Sequence, residues 1–220
     1  MKVLILQHPR EPRQPLSTVP LIQEVLGGEC CQVRVGLSWP NLKAATGDLQ
    51  AQSREWVVLY LGSRKNMRGS DPVRMKAILV ERQEVFAGAA QTSGTRPRAA
   101  LTGASAHLIF LDPKGEWLVH PPDLSKFQGL LVLDGTWHQS KTLWWRNSWL
   151  LRLQRAFLLP ENRSLYHRVR KEPRRECLST IEAVAYALEA LSGEVQIKER
   201  LLSVLQAKLL FLALILIPIV

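Results

Sequence analysis

Short apolar stretches recur along the chain, at residues 3–6 inside the segment 2–7, then 33–35, 56–61, 108–111 and 130–133. The longer ones lack the apolar–polar alternation of a half-exposed strand. They have the character of strands covered on both faces, the condition of a largely parallel sheet between helices. Between and after them lie segments of helical period. One runs over 19–26 behind the polar Ser17 and Thr18, with Pro20 in its first turn; others cover 73–86 and 181–191. Ser17 and Thr18 are read as capping residues. Strands alternating with helices predict an α/β fold, a largely parallel sheet flanked by helices.

Punctuation supports this order. Ser179-Thr180-Ile181-Glu182 has the spacing of a capping box, with Val184, Ala185, Leu188 and Leu191 following at helical intervals and Ser192-Gly193 marking the end. The stretch 91–98 has the composition of an exposed loop, and Asp112-Pro-Lys-Gly115 predicts a turn joining strands at 108–111 and 116–119. No repeat or low-complexity linker interrupts the pattern. The expected organisation is one domain over 1–200 with an insertion at about 62–125, followed by an apolar C-terminal segment, 201–220. Residues 209–220 are apolar throughout, yet twelve residues fall short of the roughly 20 that a bilayer span needs. Reaching that length would include Ser203, Gln206 and Lys208. The expectation is therefore a last helix or strand packed on the core, with a membrane-associated tail as the less favoured alternative.

Composition adds a direction. The 220 residues carry 29 Lys plus Arg against 19 Asp plus Glu, a net charge of +10, and 46% are apolar. That is a folded protein whose field attracts polyanions: nucleic acid, an anionic membrane surface or an acidic protein. Cys30, Cys31 and Cys177 show neither CxxC nor Cys/His spacing, so neither a metal site nor a disulfide framework is expected. The opening Met-Lys-Val-Leu-Ile-Leu-Gln-His-Pro has too short an apolar run for a secretory signal, and the cytoplasm is the expected compartment.

The segment Leu130-Leu-Val-Leu-Asp134-Gly-Thr-Trp137 puts a carboxylate and a glycine where a buried strand ends and a helix starts. Ligands in open α/β sheets collect outside the carboxyl ends of strands, which makes Asp134 a candidate site residue. The same residue types also suit a structural role. On that reading Asp134 caps the next helix, Gly135 makes a tight turn and Trp137 fills the core.

Asp134-Gly135-Thr136-Trp137 resembles the Asp-x-Thr-Trp signature of the DTW-domain family. Two further stretches match in order. Gln7-His8-Pro9 followed by Ser17-Thr18 is similar to the family's opening segment, and Leu178-Ser179-Thr180-Ile181-Glu182-Ala183 resembles its Leu-Ser-Thr-x-Glu-Ala helix start. The resemblance covers roughly 3–61 and 127–200. It implies a SPOUT-like, knotted α/β domain that binds S-adenosylmethionine and transfers its 3-amino-3-carboxypropyl group to N3 of a uridine in tRNA. Members often carry a cysteine-rich, zinc-suited amino-terminal segment, which has no match here, and no metal enters the expectation.

On this reading Asp134 is the candidate base for the uridine N3 proton, with proton loss aided by partial desolvation or concerted with attack. Gly135, Thr136, Trp137, Leu178, Ser179, Thr180, Glu182 and His8 are the candidate donor-binding residues. The start of the helix at Ser179-Thr180 offers N–H groups to a carboxylate or phosphate. Glu182 is read as the capping-box partner, with a contact to the donor's ammonium as the alternative, and His8 as orienting either a ligand or its own loop. Arg163, Arg168, Arg170, Lys171, Arg174 and Arg175, with His167 among them, form the candidate RNA-phosphate track, extended by Arg64, Lys65, Arg68, Arg74 and Lys76. Trp144, Trp145 and Trp149 are read as core or helix-packing residues, with base stacking as the alternative. The partner is tRNA, with no stable protein partner expected. The competing functions are an S-adenosylmethionine-dependent RNA methyltransferase and a noncatalytic RNA-binding protein.

Overall fold

A computed structural model describes residues 1–59, 106–118, 120–160, 164–165 and 178–216. The expected helix at 73–86, the loop at 91–98, both basic clusters and Cys177 lie outside these residues. The elements run β1 (Lys2–Gln7), α1 (Val19–Leu26), β2 (Cys31–Val35), α2 (Leu42–Thr46), β3 (Trp56–Leu59), β4 (Ala106–Leu111), β5 (Gly129–Asp134), α3 (Trp137–Arg146), β6 (Gln154–Pro160), α4 (Thr180–Ser192) and α5 (Val195–Leu216). The described strands form one sheet in the order β2-β1-β5-β3-β6-β4. All neighbours are parallel except β4, which pairs antiparallel with β6. The α/β expectation therefore holds.

Pleating sends successive side chains to opposite faces, and both faces are covered. Val3, Ile5, Val57, Leu130 and Val132 share one core with Val19 and Ile22 of α1, Ile181, Val184 and Leu188 of α4, and Leu201 and Leu205 of α5. Leu4, Leu6, Val58, Leu131 and Leu133 point the other way, against Leu42 and Ala45 of α2 and Leu143 of α3. Gly129 sits opposite Trp56 in the β5–β3 register, and the Trp56 indole occupies the space a Cβ there would need, at 2.3 Å. Any larger residue at 129 would push the ring out of the core.

The expected turn at 112–115 is present. Gly115 N–H donates to the Asp112 carbonyl at 3.0 Å and Glu116 N–H to Asp112 Oδ1 at 2.8 Å. Among the described residues its second arm contributes a single antiparallel bridge, between Leu111 and Trp117. Residues 201–216 of the C-terminal stretch are part of α5, which runs unbroken across residue 200. Burying Leu201 and Leu205 contributes roughly 1.5–3 kcal/mol each. Lys208 Nζ donates to the Ser17 carbonyl at 2.7 Å, tying α5 to the start of α1. Among the described residues no helix is long and apolar enough to cross a membrane.

Cys31 lies in the core beneath α1, and burial, with the neighbouring Cys30 adding to it, pushes its thiol pKa up to about 11. At pH 8 its thiolate fraction is then on the order of one in a thousand, and the thiolate is the reactive form. Iodoacetamide on the native protein at pH 8 should label exposed Cys30 well before Cys31, read by peptide mass spectrometry. Equal labelling rates at the two positions would contradict this packing.

Candidate active site

β1 and β5 are parallel neighbours, and the chain leaves them toward opposite faces of the sheet. After β1 it passes into α1, which packs in one core; after β5 it passes into α3, which packs in the other. Such a divergence opens a crevice at the carboxyl ends of the two strands, the usual place for a ligand in an open α/β sheet. Gln7 and Asp134 are the last residues of these strands and face one another in register. His8 extends the ladder by one bond, its N–H donating to the Asp134 carbonyl at 3.0 Å.

Asp134 is buried, and both of its carboxylate oxygens are engaged. Gln7 Nε2 donates to Oδ2 at 2.9 Å, and Thr180 Oγ1, from the first turn of α4, donates to Oδ1 at 2.5 Å. These contacts fix the carboxylate rotamer and leave each oxygen a second lone pair. They also join three segments far apart in the chain, 7–8, 134–137 and 178–182. The helix-capping role considered for Asp134 is not the one the structure gives it. The N-cap of α3 is Thr136, whose N–H donates to Gln139 Oε1 at 2.6 Å while Gln139 N–H reaches Thr136 Oγ1 at 3.4 Å. Asp134 lies too early, inside the strand, where its side chain turns toward α4 instead.

Gly135 is set by this cap. A Cβ at 135 would stand 2.9 Å from Gln139 Cβ and 3.5 Å from His8 Cβ, so glycine lets the capping turn close over the strand end. Ser140 Oγ donates to the Gly135 carbonyl at 3.2 Å. His8 is half-buried, and its Nδ1 accepts the Arg10 N–H at 3.3 Å. Burial lowers its pKa below the ordinary 6.5, with the charges of Arg10 and His138 acting in the same direction. The ring is thus neutral at pH 7, with its proton on Nε2.

At the start of α4, Leu178, Ser179 and Thr180 are half-buried, whereas Glu182 is 0% exposed. Its Oε2 accepts from Ser179 N–H at 2.9 Å, Ser179 Oγ at 2.5 Å and Ser164 Oγ at 2.6 Å; its Oε1 accepts from Leu165 N–H at 2.7 Å. The carboxylate ties the helix start to residues 164–165, so Glu182 shapes the site from beneath. Trp137 is half-buried, with Lys141 Nζ 5.3 Å from its ring centroid. The three clustered tryptophans separate. Trp149 is buried and Trp144 half-buried, but Trp145 is 79% exposed, so it is not a packing residue. Arg163, Arg168, Arg170, Lys171, Arg174 and Arg175 lie outside the described residues.

Two contributors carried no assigned role in the sequence. Gln7 is only 4% exposed and holds Asp134. Its signal was a polar residue ending an apolar run beside the His-Pro pair. Ser164, a donor to Glu182, has no local signature at all.

A family model described as DTW domain matches residues 1–212, which takes in the stretch 62–125 and most of α5. Two curated relatives, both named tRNA-uridine aminocarboxypropyltransferase 2, are similar. That of Macaca fascicularis is 26% identical over 203 residues, covering 92% of this chain and 52% of the relative. That of Mus musculus is 27% identical over 206 residues with the same two coverages. The chain thus spans about half the length of the curated relatives it matches. No solved structure matches it.

Proposed function

Because the chain belongs to the DTW-domain family, we propose that it is a transferase that moves the 3-amino-3-carboxypropyl group of S-adenosylmethionine onto N3 of a uridine in tRNA. One observation carries the reading: all three motif segments meet at the carboxyl ends of β1 and β5, through the hydrogen bonds of Asp134 to Gln7 and Thr180. The names of the two relatives support the same acceptor and group.

The residues present suit such a donor. The Ser179 N–H is taken by Glu182, but the N–H of half-buried Thr180, in the first turn of α4, has no acceptor within the helix and matches a carboxylate, and the loop Gly135–Trp137 and His8 border the crevice. S-adenosylmethionine supplies an electrophilic methylene next to its sulfonium. Asp134 takes the uridine N3 proton through the lone pairs left by Gln7 and Thr180, as N3–carbon bonding replaces carbon–sulfur bonding and methylthioadenosine leaves. Gln7 and Thr180 hold the base in one rotamer, which serves the near-attack alignment that such a displacement requires. Neutral His8 offers its Nε2–H as a donor in the same crevice. Arg163, Arg168, Arg170, Lys171, Arg174 and Arg175 supply phosphate contacts in this proposal, and the reaction belongs to the cytoplasm.

Purified protein with S-adenosylmethionine and unmodified tRNA should add one aminocarboxypropyl group per modified uridine and release methylthioadenosine. Nucleoside mass spectrometry with product chromatography measures both. A methyl increment with S-adenosylhomocysteine would replace this reading with the methyltransferase. Tight tRNA binding with neither product would leave an RNA-binding protein without this activity.

A further inference from the structure

The outward face of α3 is not explained by the fold. Ser140, Leu143 and Asn147 turn inward and are buried, while His138, Lys141 and Trp145 are exposed. These three stand at i, i+3 and i+7, one stripe along the helix. The stripe begins at the site, since His138 lies in the first turn of α3, just after the Gly135 turn that closes against His8. It ends seven residues on, about 10 Å away at 1.5 Å per residue, under an indole that is 79% exposed. Arg146 beside it and Arg152 in the following turn are also exposed. Over residues 135–160 the chain holds Lys141, Arg146, Arg152 and Arg155 and no Asp or Glu.

We propose that Trp145 is a stacking platform for a nucleotide flanking the target uridine, with Lys141 holding a phosphate between the site and the platform and Arg146 a phosphate at its far end. This inference rests on the proposed tRNA substrate and names the surface that receives it. An exposed indole among cations, with no carboxylate in the segment, has the chemistry of a single-stranded nucleic-acid track: a π face for any base, and positive charge for the backbone. The spacing agrees, because about 10 Å corresponds to roughly three bases at about 3.4 Å each. A uridine drawn into the crevice at Asp134 would leave its neighbours within reach of the ring.

The test compares the full chain with Trp145→Ala, Trp145→Phe and the pair Lys141→Gln/Arg146→Gln. Affinity for unmodified tRNA is measured across a salt series, alongside thermal melts, donor calorimetry and sedimentation. Trp145→Ala should weaken tRNA binding about ten- to a hundredfold with its log-affinity against log-salt slope unchanged, since stacking releases no counterions. Trp145→Phe should recover most of the loss. The charge pair should flatten the slope by about 0.7 for each phosphate that the variant no longer neutralises. Melting temperature and donor affinity should match the parent in the Trp145 variants. Parental affinity in Trp145→Ala, or no recovery in Trp145→Phe, overturns the platform. So does a change of oligomeric state with unaltered tRNA affinity, which would assign Trp145 to a protein contact. Transfer by the parent is scored separately. A parent that binds tRNA through Trp145 but forms no modified uridine removes the reaction and keeps the platform; a parent that transfers while Trp145→Ala binds normally does the reverse.

Discussion

Asp134→Asn is expected to slow single-turnover transfer at saturating donor by at least about a hundredfold, the lower end of what a positioned general base contributes. Donor and tRNA affinities should stay within about tenfold of the parent. The variant suits the question because the surroundings can accept it. Asn keeps one carbonyl oxygen for one of the two donors, Gln7 Nε2 or Thr180 Oγ1. At the other, the Gln7 amide can turn to present its oxygen, or the Thr180 hydroxyl can rotate to accept. The stability cost should then be about 1–2 kcal/mol, a fall of a few degrees in melting temperature for a chain of this size. Asp134→Ala would be less informative, since it leaves both donors without an acceptor in a buried place.

The structural alternative predicts otherwise. Thr136 already caps α3, so Asp134 has no helix start to hold, and its remaining structural work is to tie β1 and α4 together at the strand ends. Asn retains much of that tie. If tethering were its whole contribution, the rate would stay within about tenfold of the parent. A folded, donor-binding Asp134→Asn protein with near-parental turnover therefore removes Asp134 as the proton acceptor and assigns deprotonation to another group.

How much of this was legible in the sequence follows from the range of the interactions involved. β1, β5 and α1 were visible because each carries its own signal: an apolar run long enough for a covered strand, or a helical period behind Ser17-Thr18. β6 was not, since Gln154-Arg155 opens it with polar residues and Pro160 closes it. α2 has five residues, too few to display a period. The inner face of α3 is partly polar, and its reason lies elsewhere in the chain. Asn147 Oδ1 accepts the Trp39 N–H at 2.8 Å, and Asn147 Nδ2 donates to the Leu37 carbonyl at 3.0 Å, across more than a hundred residues. The site divides in the same way. Asp134, His8 and the α4 start were legible as motifs, but the contacts that unite them depend on the register of β1 against β5 and on where α4 docks. The capping reading of Asp134 failed on a shift of two residues, because the strand runs on through Asp134 before the turn begins. Trp145 was grouped with Trp144 and Trp149 because three tryptophans close together look apolar in sequence, whereas the helix turns one of them outward.

Glu182→Gln separates the two roles the sequence left open for that residue, and its main effect should be on stability. In the native protein the buried carboxylate serves four donors, two of them the backbone N–H groups of Ser179 and Leu165. An amide has one oxygen. If that oxygen replaces Oε2, the amide N–H₂ meets the Leu165 N–H; if it replaces Oε1, the N–H₂ meets the Ser179 N–H and both hydroxyls. The hydroxyls can rotate to accept, but in either orientation one backbone N–H faces a donor. A buried donor left unsatisfied costs about 1–3 kcal/mol, and exchanging charge-assisted bonds for neutral ones adds to it. The sum, roughly 2–4 kcal/mol, should lower the melting temperature by about 4–16 °C for a protein of 220 residues. Transfer should slow as well, because loosening the α4 start releases Thr180 from Asp134. Glu182→Asp should not rescue, since shortening the side chain by about 1.5 Å withdraws its oxygens from donors that now sit at 2.5–2.9 Å. The donor-binding alternative makes the opposite forecast: unchanged melting temperature and a large loss of S-adenosylmethionine affinity, as an ammonium loses its counter-charge. Differential scanning calorimetry beside donor titration reads both quantities on one sample, and a stable variant with crippled donor affinity would move Glu182 from beneath the site into direct contact with the ligand.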